Sequence, residues 1–285
     1  MRDLPSDLGR FGGLATRAQV RGLGHTSYSI RAAIAGGHVA AVGRDWIAVD
    51  DAPPAAVRAV SRRGVLGGAS ALETSGVWVT RSTGLCIATP HSASRLPALG
   101  PGEHRVWCRT LSPRGAIAWR ATVEDALAQY IPTLVDPDHV VATIDSAFNR
   151  RLLARSDLDR LFARLPRRCR RLRRAIDGRA ESGLESLLRL ACEREGWHVE
   201  IQVAVDGVGR VDLLIDGWLV IEADGSRWHD SGEATRRDRA RNGALVLRGY
   251  RWHRFGYEQV MYDLAGCVEV IRALIDGGPP RARFA

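Results

Sequence analysis

Apolar positions along the chain recur with two spacings, and breakers separate the segments. Thr16-Arg17-Ala18-Gln19 has the side chains of a capping box and opens a short helix. Gly22-Leu23-Gly24-His25 reads as a turn. A second helix starts near Thr26 or Ser27 and stops at Gly36-Gly37, with Ile30, Ala33 and Ile34 on its apolar side at i, i+3, i+4. Tyr28 and Arg31 then point outward. HVAAV and WIAV flank Gly43-Arg44-Asp45 and predict a β-hairpin. After the Asp51-Ala52-Pro53-Pro54 breaker, helices are expected over Val57–Arg63, Ala69–Thr74, Val123–Ile131, Asp138–Arg150 and Asp157–Leu165. Strands are expected at LCIAT, RVWCRT and AIAW. The C-terminal segment reads as a helix from Ser182 to Glu195 and three strands in WHVEIQVAV, RVDLLI and WLVIEAD. A helix from Thr235 to Arg248, a strand in YRWHRF and a helix from Glu258 to Ile275 complete it. Asp206-Gly207 and Asp216-Gly217 are hairpin signals.

Helix, tight turn, helix, hairpin is the outline of a winged helix-turn-helix. Its second helix can enter a major groove while the hairpin touches the backbone; the alternative is a small helical cap that binds protein or nothing. The domains expected are a winged helix-turn-helix over 1–52, a mixed α/β middle over 53–165, an Arg-rich linker helix over 166–180 and an α-β-β-β-α-β-α domain over 181–278. The fold class is α/β.

Composition narrows the setting. No apolar run is long enough to span a bilayer, and MRDLPSDLGR lacks the apolar segment of a secretory signal, so a cytoplasmic protein without membrane contact is expected. The five cysteines, Cys86, Cys108, Cys169, Cys192 and Cys267, contain no CxxC pair and read as buried thiols. All 41 basic residues are arginine, and the net charge is +9. That excess sits between Arg150 and Arg179, where 12 arginines face three acids and the remaining 255 residues are neutral overall. PRRCRRLRRAIDGR is expected to place Arg170, Arg173, Arg174 and their neighbours on every face of a helix. Such a run is either a solvated linker or a phosphate-contacting stripe.

The candidate chemistry lies in VIEADGSRWH. Glu222 and Asp224 are i, i+2 on a strand and share a face. Two buried carboxylates repel each other, and a hard divalent cation such as Mg²⁺ (or Mn²⁺) relieves that repulsion. Asp212 is the third acid. A two-residue loop at Asp216-Gly217 would place Asp212 opposite Ile221 and on the wrong face, so a shared cation requires an odd loop or a β-bulge. Glu185 begins a helix in SGLE, where it also completes a capping box. His229 could act as general acid or base or contact phosphate. Arg236, Arg237, Arg239, Arg241 and Arg254 are candidate phosphate contacts, and Tyr28, Arg31 and Arg44 would meet DNA from the N-terminal module. His91, His104 and His139 stand singly and read as structural.

The segment from Glu181 to Ile275 resembles the PD-(D/E)xK nuclease superfamily. More closely, it resembles the domain related to Vsr, the very-short-patch-repair endonuclease. The carrying motifs are SGLES, GRVDLLI, VIEADGSRWH and RRDRARNGALVLRGYRWHRF, in that order. The resemblance implies a restriction-endonuclease-like core, a mixed sheet flanked by helices, with Asp212 and Glu222 as metal-binding acids. It also implies roles near the metal for Asp224, His229 and Glu185. The superfamily's E-x-K would place lysine at position 224, where Asp224 stands. The resemblance to the Vsr-related group extends to an E-x-D-G followed by histidine, here E-x-D-G-x-x-x-H, which gives the electrostatic part to His229 or a nearby arginine. Gly12 to Asp50 resembles the winged helix-turn-helix of AbiEi-type antitoxins through GGLATRAQVRGLG and GRDWIAVD, and the middle is similar to what accompanies these ends in actinobacterial proteins. Two functions follow as expectations: a Mg²⁺-dependent endonuclease or nickase acting on double-stranded DNA, or a non-catalytic antitoxin-type regulator using the nuclease fold as scaffold. A partner protein in a toxin–antitoxin or defence pair is a third possibility.

Overall fold

The computed structural model describes residues 3–82, 84–109, 117–224 and 232–280, with only the backbone described over 232–238. The protein is mixed α/β, with three small sheets among its helices. It divides into two compact units, Met1–Leu134 with Asp159–Pro166 and Val135–Leu158 with Arg167–Ala285. Among the described residues no helix is long and apolar enough to cross a membrane.

The first unit begins with α1 (Leu4–Gly9), β1 (Leu14–Thr16), α2 (Arg17–Gly22), α3 (Ser27–Ala35), β2 (Ala40–Val42) and β3 (Trp46–Ala48). Thr16 and Gln19 cap α2 reciprocally, as expected, and Thr26 and Ser29 do the same for α3. The hairpin of β2 and β3 forms as expected. It gains β1 as a third, antiparallel strand in the order β1-β3-β2. Neither α1 nor β1 was anticipated, because elements of six and three residues are too short to show a period. Leu4, Leu8, Ala15, Val20, Ile30 and Ile47 close the core of this part. His25 in the turn between α2 and α3 contacts Asp7 of α1 at 2.8 Å.

The unit continues with α4 (Pro54–Ser61), β4 (Val65–Leu66), α5 (Gly68–Thr74), β5 (Leu85–Pro90), β6 (Glu103–Cys108) and α6 (Val123–Tyr130). The second sheet has the order β4-β5-β6, with β5 and β6 parallel. AIAW does not form the expected strand. Ala116 lies outside the described residues, and Ile117 to Trp119 form no strand; a single bridge between Leu66 and Arg120 follows them. Trp119 is instead a core anchor, buried and donating its indole N–H to the Phe11 carbonyl at 2.7 Å. Glu103 ties β6 to α4 through Arg58 and Arg62. The Gly100 N–H, then these two arginines, hold its carboxyl down at about 2.

α7 (Pro137–Asn149) opens the second unit, and α8 (Leu158–Arg164) follows in sequence. The Arg-rich segment is not the expected α-helix. Arg167–Ala175 is a 3-10 helix, and its sequence RRCRRLRRA has the matching period of three. Cys169, Leu172 and Ala175 therefore align on one inward face, and the six arginines form two exposed columns rather than covering every face. The end of this helix is pinned by a buried network. Asp145 of α7 is fully buried and accepts hydrogen bonds from the Asp177 N–H at 2.7 Å, Ser186 at 2.9 Å and Arg189 at 3.1 Å. Arg189 also donates to the Ala175 carbonyl at 2.7 Å.

The rest of the unit is α9 (Gly183–Arg194), β7 (Val199–Val205), β8 (Gly209–Ile215), β9 (Leu219–Asp224), α10 (Gly232–Leu247), β10 (Arg251–Gly256), α11 (Tyr257–Tyr262) and α12 (Leu264–Asp276). The element order matches the expectation, except that the last helix is two. Asp263 breaks it with a non-helical backbone (φ −142°, ψ 52°) and then caps α12, accepting from the Gly266 N–H at 3.0 Å. The sheet order is β10-β9-β8-β7, with β10 parallel to β9 and the others antiparallel. Leu245 of α10 packs on Val205, Val211, Leu214 and Val220 of this sheet.

Candidate functional site

The turn between β8 and β9 decides which residues meet. Asp216 and Gly217 both adopt positive φ, at 49° and 76°, as a type I′ turn needs. Trp218 donates to the Ile215 carbonyl at 3.2 Å, yet pairing resumes only at Leu219, opposite Ile215. The loop thus has three residues, the odd length that the cation reading required. The register runs Ile215–Leu219, Leu214–Val220, Leu213–Ile221. Continued one step, it sets Asp212 against Glu222, so strand alternation no longer separates them. The ladder itself stops there. The Asp212 carboxylate takes the place of a backbone acceptor and receives the Ala223 N–H at 3.0 Å.

Glu222 follows from the same geometry. It is two residues from Val220 on β9, hence on the face that Leu245 of α10 covers. Arg241 lies one helical turn before Leu245 and reaches Glu222 Oε1 at 2.5 Å. Arg254 is the register partner of Glu222 on β10 and meets Oε2 at 2.7 Å. Glu222 is buried.

Glu185 approaches from α9. It is buried, and its own N–H is capped by Ser182 at 3.3 Å. Its Oε2 accepts from the Glu181 N–H at 2.9 Å and from Gln202 at 2.8 Å. Gln202 holds positive φ (56°) in the middle of β7, an uncommon conformation for a long side chain. Ser182 thus caps α9, but Glu185 turns to the Glu181 N–H instead of closing the expected capping box, and its charge also acts on Asp212. Burial first, then repulsion from Glu185 and Glu222, push the Asp212 carboxyl up to about 6, against the Ala223 N–H and Arg241, which pull it down.

Asp224 is half-buried at the end of β9, beside Gly256 of β10. His229 lies outside the described residues, as do the side chains of Arg236 and Arg237. Among the described residues no three His, Cys, Asp or Glu side chains close around a common metal position. On the first unit, Tyr28 is 75% exposed on α3 and Arg31 is exposed one turn further on, on the same face. Arg44 is exposed in the β2–β3 turn, and its carbonyl accepts from Arg17 at 3.1 Å. Arg170, Arg173 and Arg174 are exposed on the 3-10 helix.

Gln202 and the Asp145–Arg189 pair were not anticipated. A lone acid inside the apolar helix VVATIDSAF was the available signal for Asp145. No protein-family model matches the chain, and no curated protein matches it.

Proposed function

We propose that the chain is a DNA-binding protein whose second unit hydrolyses phosphodiesters with a divalent cation, as an endonuclease or nickase. The supporting observation is the three-residue loop, which sets Asp212 against Glu222 and within the field of Glu185. In this reading β7 to β10 with α9 and α10 are a restriction-endonuclease-like, Vsr-related core, and α2, α3 and the β2–β3 hairpin are an AbiEi-like winged helix-turn-helix.

The donor set fits a hard cation such as Mg²⁺ or Mn²⁺. It is all carboxylate oxygen, and burial first, then repulsion from Glu185 and Glu222, disfavours the Asp212 charge that a bound cation would stabilise. Asp212 and Glu222 would hold it. A bound Mg²⁺ supplies charge neutralisation at the phosphate and a more acidic water. The chain's own residues position Asp212 through the Ala223 N–H and keep Glu185 oriented through Gln202. Arg254 and Arg241 stand where a lysine-free site needs positive charge. The test is nicking of supercoiled plasmid by the full chain. Cleavage with Mg²⁺ and none with EDTA is expected; no cleavage on any duplex, matched or mismatched, refutes the reading.

The second reading is a non-catalytic antitoxin-type regulator, alone or with a partner protein. The specific observation in its favour is that both Glu222 oxygens are already engaged by arginine. It predicts duplex binding with no cation requirement.

Both readings use the two arginine columns of the 3-10 helix to neutralise phosphate. Replacing Arg167, Arg170, Arg171 and Arg174 with Ala should weaken duplex binding alike across sequences. It should also flatten the slope of log affinity against log salt by about 0.9 for each phosphate left without its arginine, or ~3–4 in total. An unchanged slope in fluorescence-anisotropy titrations would show that these arginines are only solvated.

A further inference from the structure

The inference rests on the reading of Asp212 and Glu222 as cation ligands and adds what controls them. Glu222 is only 4% exposed, and each of its oxygens carries a guanidinium. The guanidiniums are less covered than the glutamate they hold: the Arg241 and Arg254 side chains are 27% and 28% exposed. A ligand arriving from solvent therefore meets the arginines first.

Charge decides what that ligand can be. Three carboxylates and two guanidiniums leave the cluster with a single net negative charge. A divalent cation arriving alone would compete with two fixed positive groups for one carboxylate. A phosphodiester arriving alone would draw the arginines away and leave Glu222 buried without a partner, which is costly. Together they complement each other: phosphate oxygens match the planar arginine fork, and the cation takes the released carboxylate. Release needs only the Arg254 side chain to turn outward, while its backbone and that of Glu222 stay paired in the β9–β10 ladder.

We propose that Arg241 and Arg254 form a latch on Glu222 that a DNA phosphate opens, so that cation and DNA bind cooperatively. Arg241 and Arg254 are then positioning residues that make cation loading depend on substrate. Because coupling is reciprocal, each ligand tightens the other by the same factor.

The test is calorimetric titration of the full chain with Ca²⁺, an oxygen-seeking cation, at constant ionic strength. It is run with and without a short duplex, and the heat of Ca²⁺ on duplex alone is subtracted. The duplex is expected to tighten Ca²⁺ binding about 10-fold or more, equal to about 1.4 kcal/mol. Ca²⁺ should tighten duplex binding by the same factor. Arg254→Gln should bind Ca²⁺ more tightly than wild type without DNA and lose most of the coupling. Arg241→Gln is the second variant should the first fail to fold. Wild-type Ca²⁺ binding that is lost in Glu222→Gln yet equal with and without duplex overturns the latch alone. Duplex binding with no Ca²⁺ bound by wild type or either arginine variant overturns the cation reading and the latch with it.

Discussion

Asp145→Ala is expected to lower the stability of the second unit by about 3–5 kcal/mol, because it leaves a buried arginine without its carboxylate. Arg189 is 4% exposed and, among the described residues, keeps Glu193 and the Ala175 carbonyl as partners. The Ser186 hydroxyl and the Asp177 N–H also lose their hydrogen bonds to Asp145. A midpoint shift of roughly 10 °C follows for a unit of this size, read by thermal denaturation. A shift of a degree or two would mean that the network does not hold the unit together. Asp145→Asn separates packing from charge. Burial pushes the Asp145 carboxyl up to about 7, from an ordinary 3.8. Between those values the native state keeps a proton that the unfolded chain has released. Asp145 thus contributes stability that is complete below the unfolded value and lost as pH rises through about 7. The wild type's advantage over Asp145→Asn should narrow across that window.

Asp212→Asn is expected to separate activity from stability. Cleavage should fall by about 100-fold or more, since the carboxylate that would hold the cation is gone. Stability near neutral pH should hold or rise. The amide oxygen can still accept the Ala223 N–H, and the repulsion from Glu185 and Glu222 disappears with the charge. A structural carboxylate would behave the other way, losing stability with no selective effect on catalysis. Parallel melts and plasmid-nicking rates on the same preparation decide between them.

Much of the second unit could be read from residues. SGLE, the Asp-Gly turns and the alternation in VEIQVAV, RVDLLI and WLVIEAD predicted α9 and β7 to β9 within a few residues. The partners of Glu222 were less legible. Arg254 and Arg241 were visible only as basic residues, and their meeting on one carboxylate needs the β9–β10 register and the Leu245 face of α10. Loop length was the decisive unknown. An Asp-Gly pair is compatible with two or three residues, and only the backbone places Trp218 in the loop. The arginine segment departs from expectation for a different reason. An α-helix has 3.6 residues per turn, whereas RRCRRLRRA repeats every three, which matches the 3-10 geometry it adopts. α1 and β1 escaped because short elements are set by tertiary packing, here around Leu8 and Ile47.

The claim at the centre is that Asp212 and Glu222 share one cation when DNA is present. It is tested most directly by a crystal of the full chain with a short duplex, soaked in Mn²⁺ and measured for anomalous scattering. The account predicts one anomalous peak bonded to oxygens of both Asp212 and Glu222, with Arg241 and Arg254 turned to phosphate. A duplex-bound crystal with no peak there, and with both arginines still on Glu222, would contradict it.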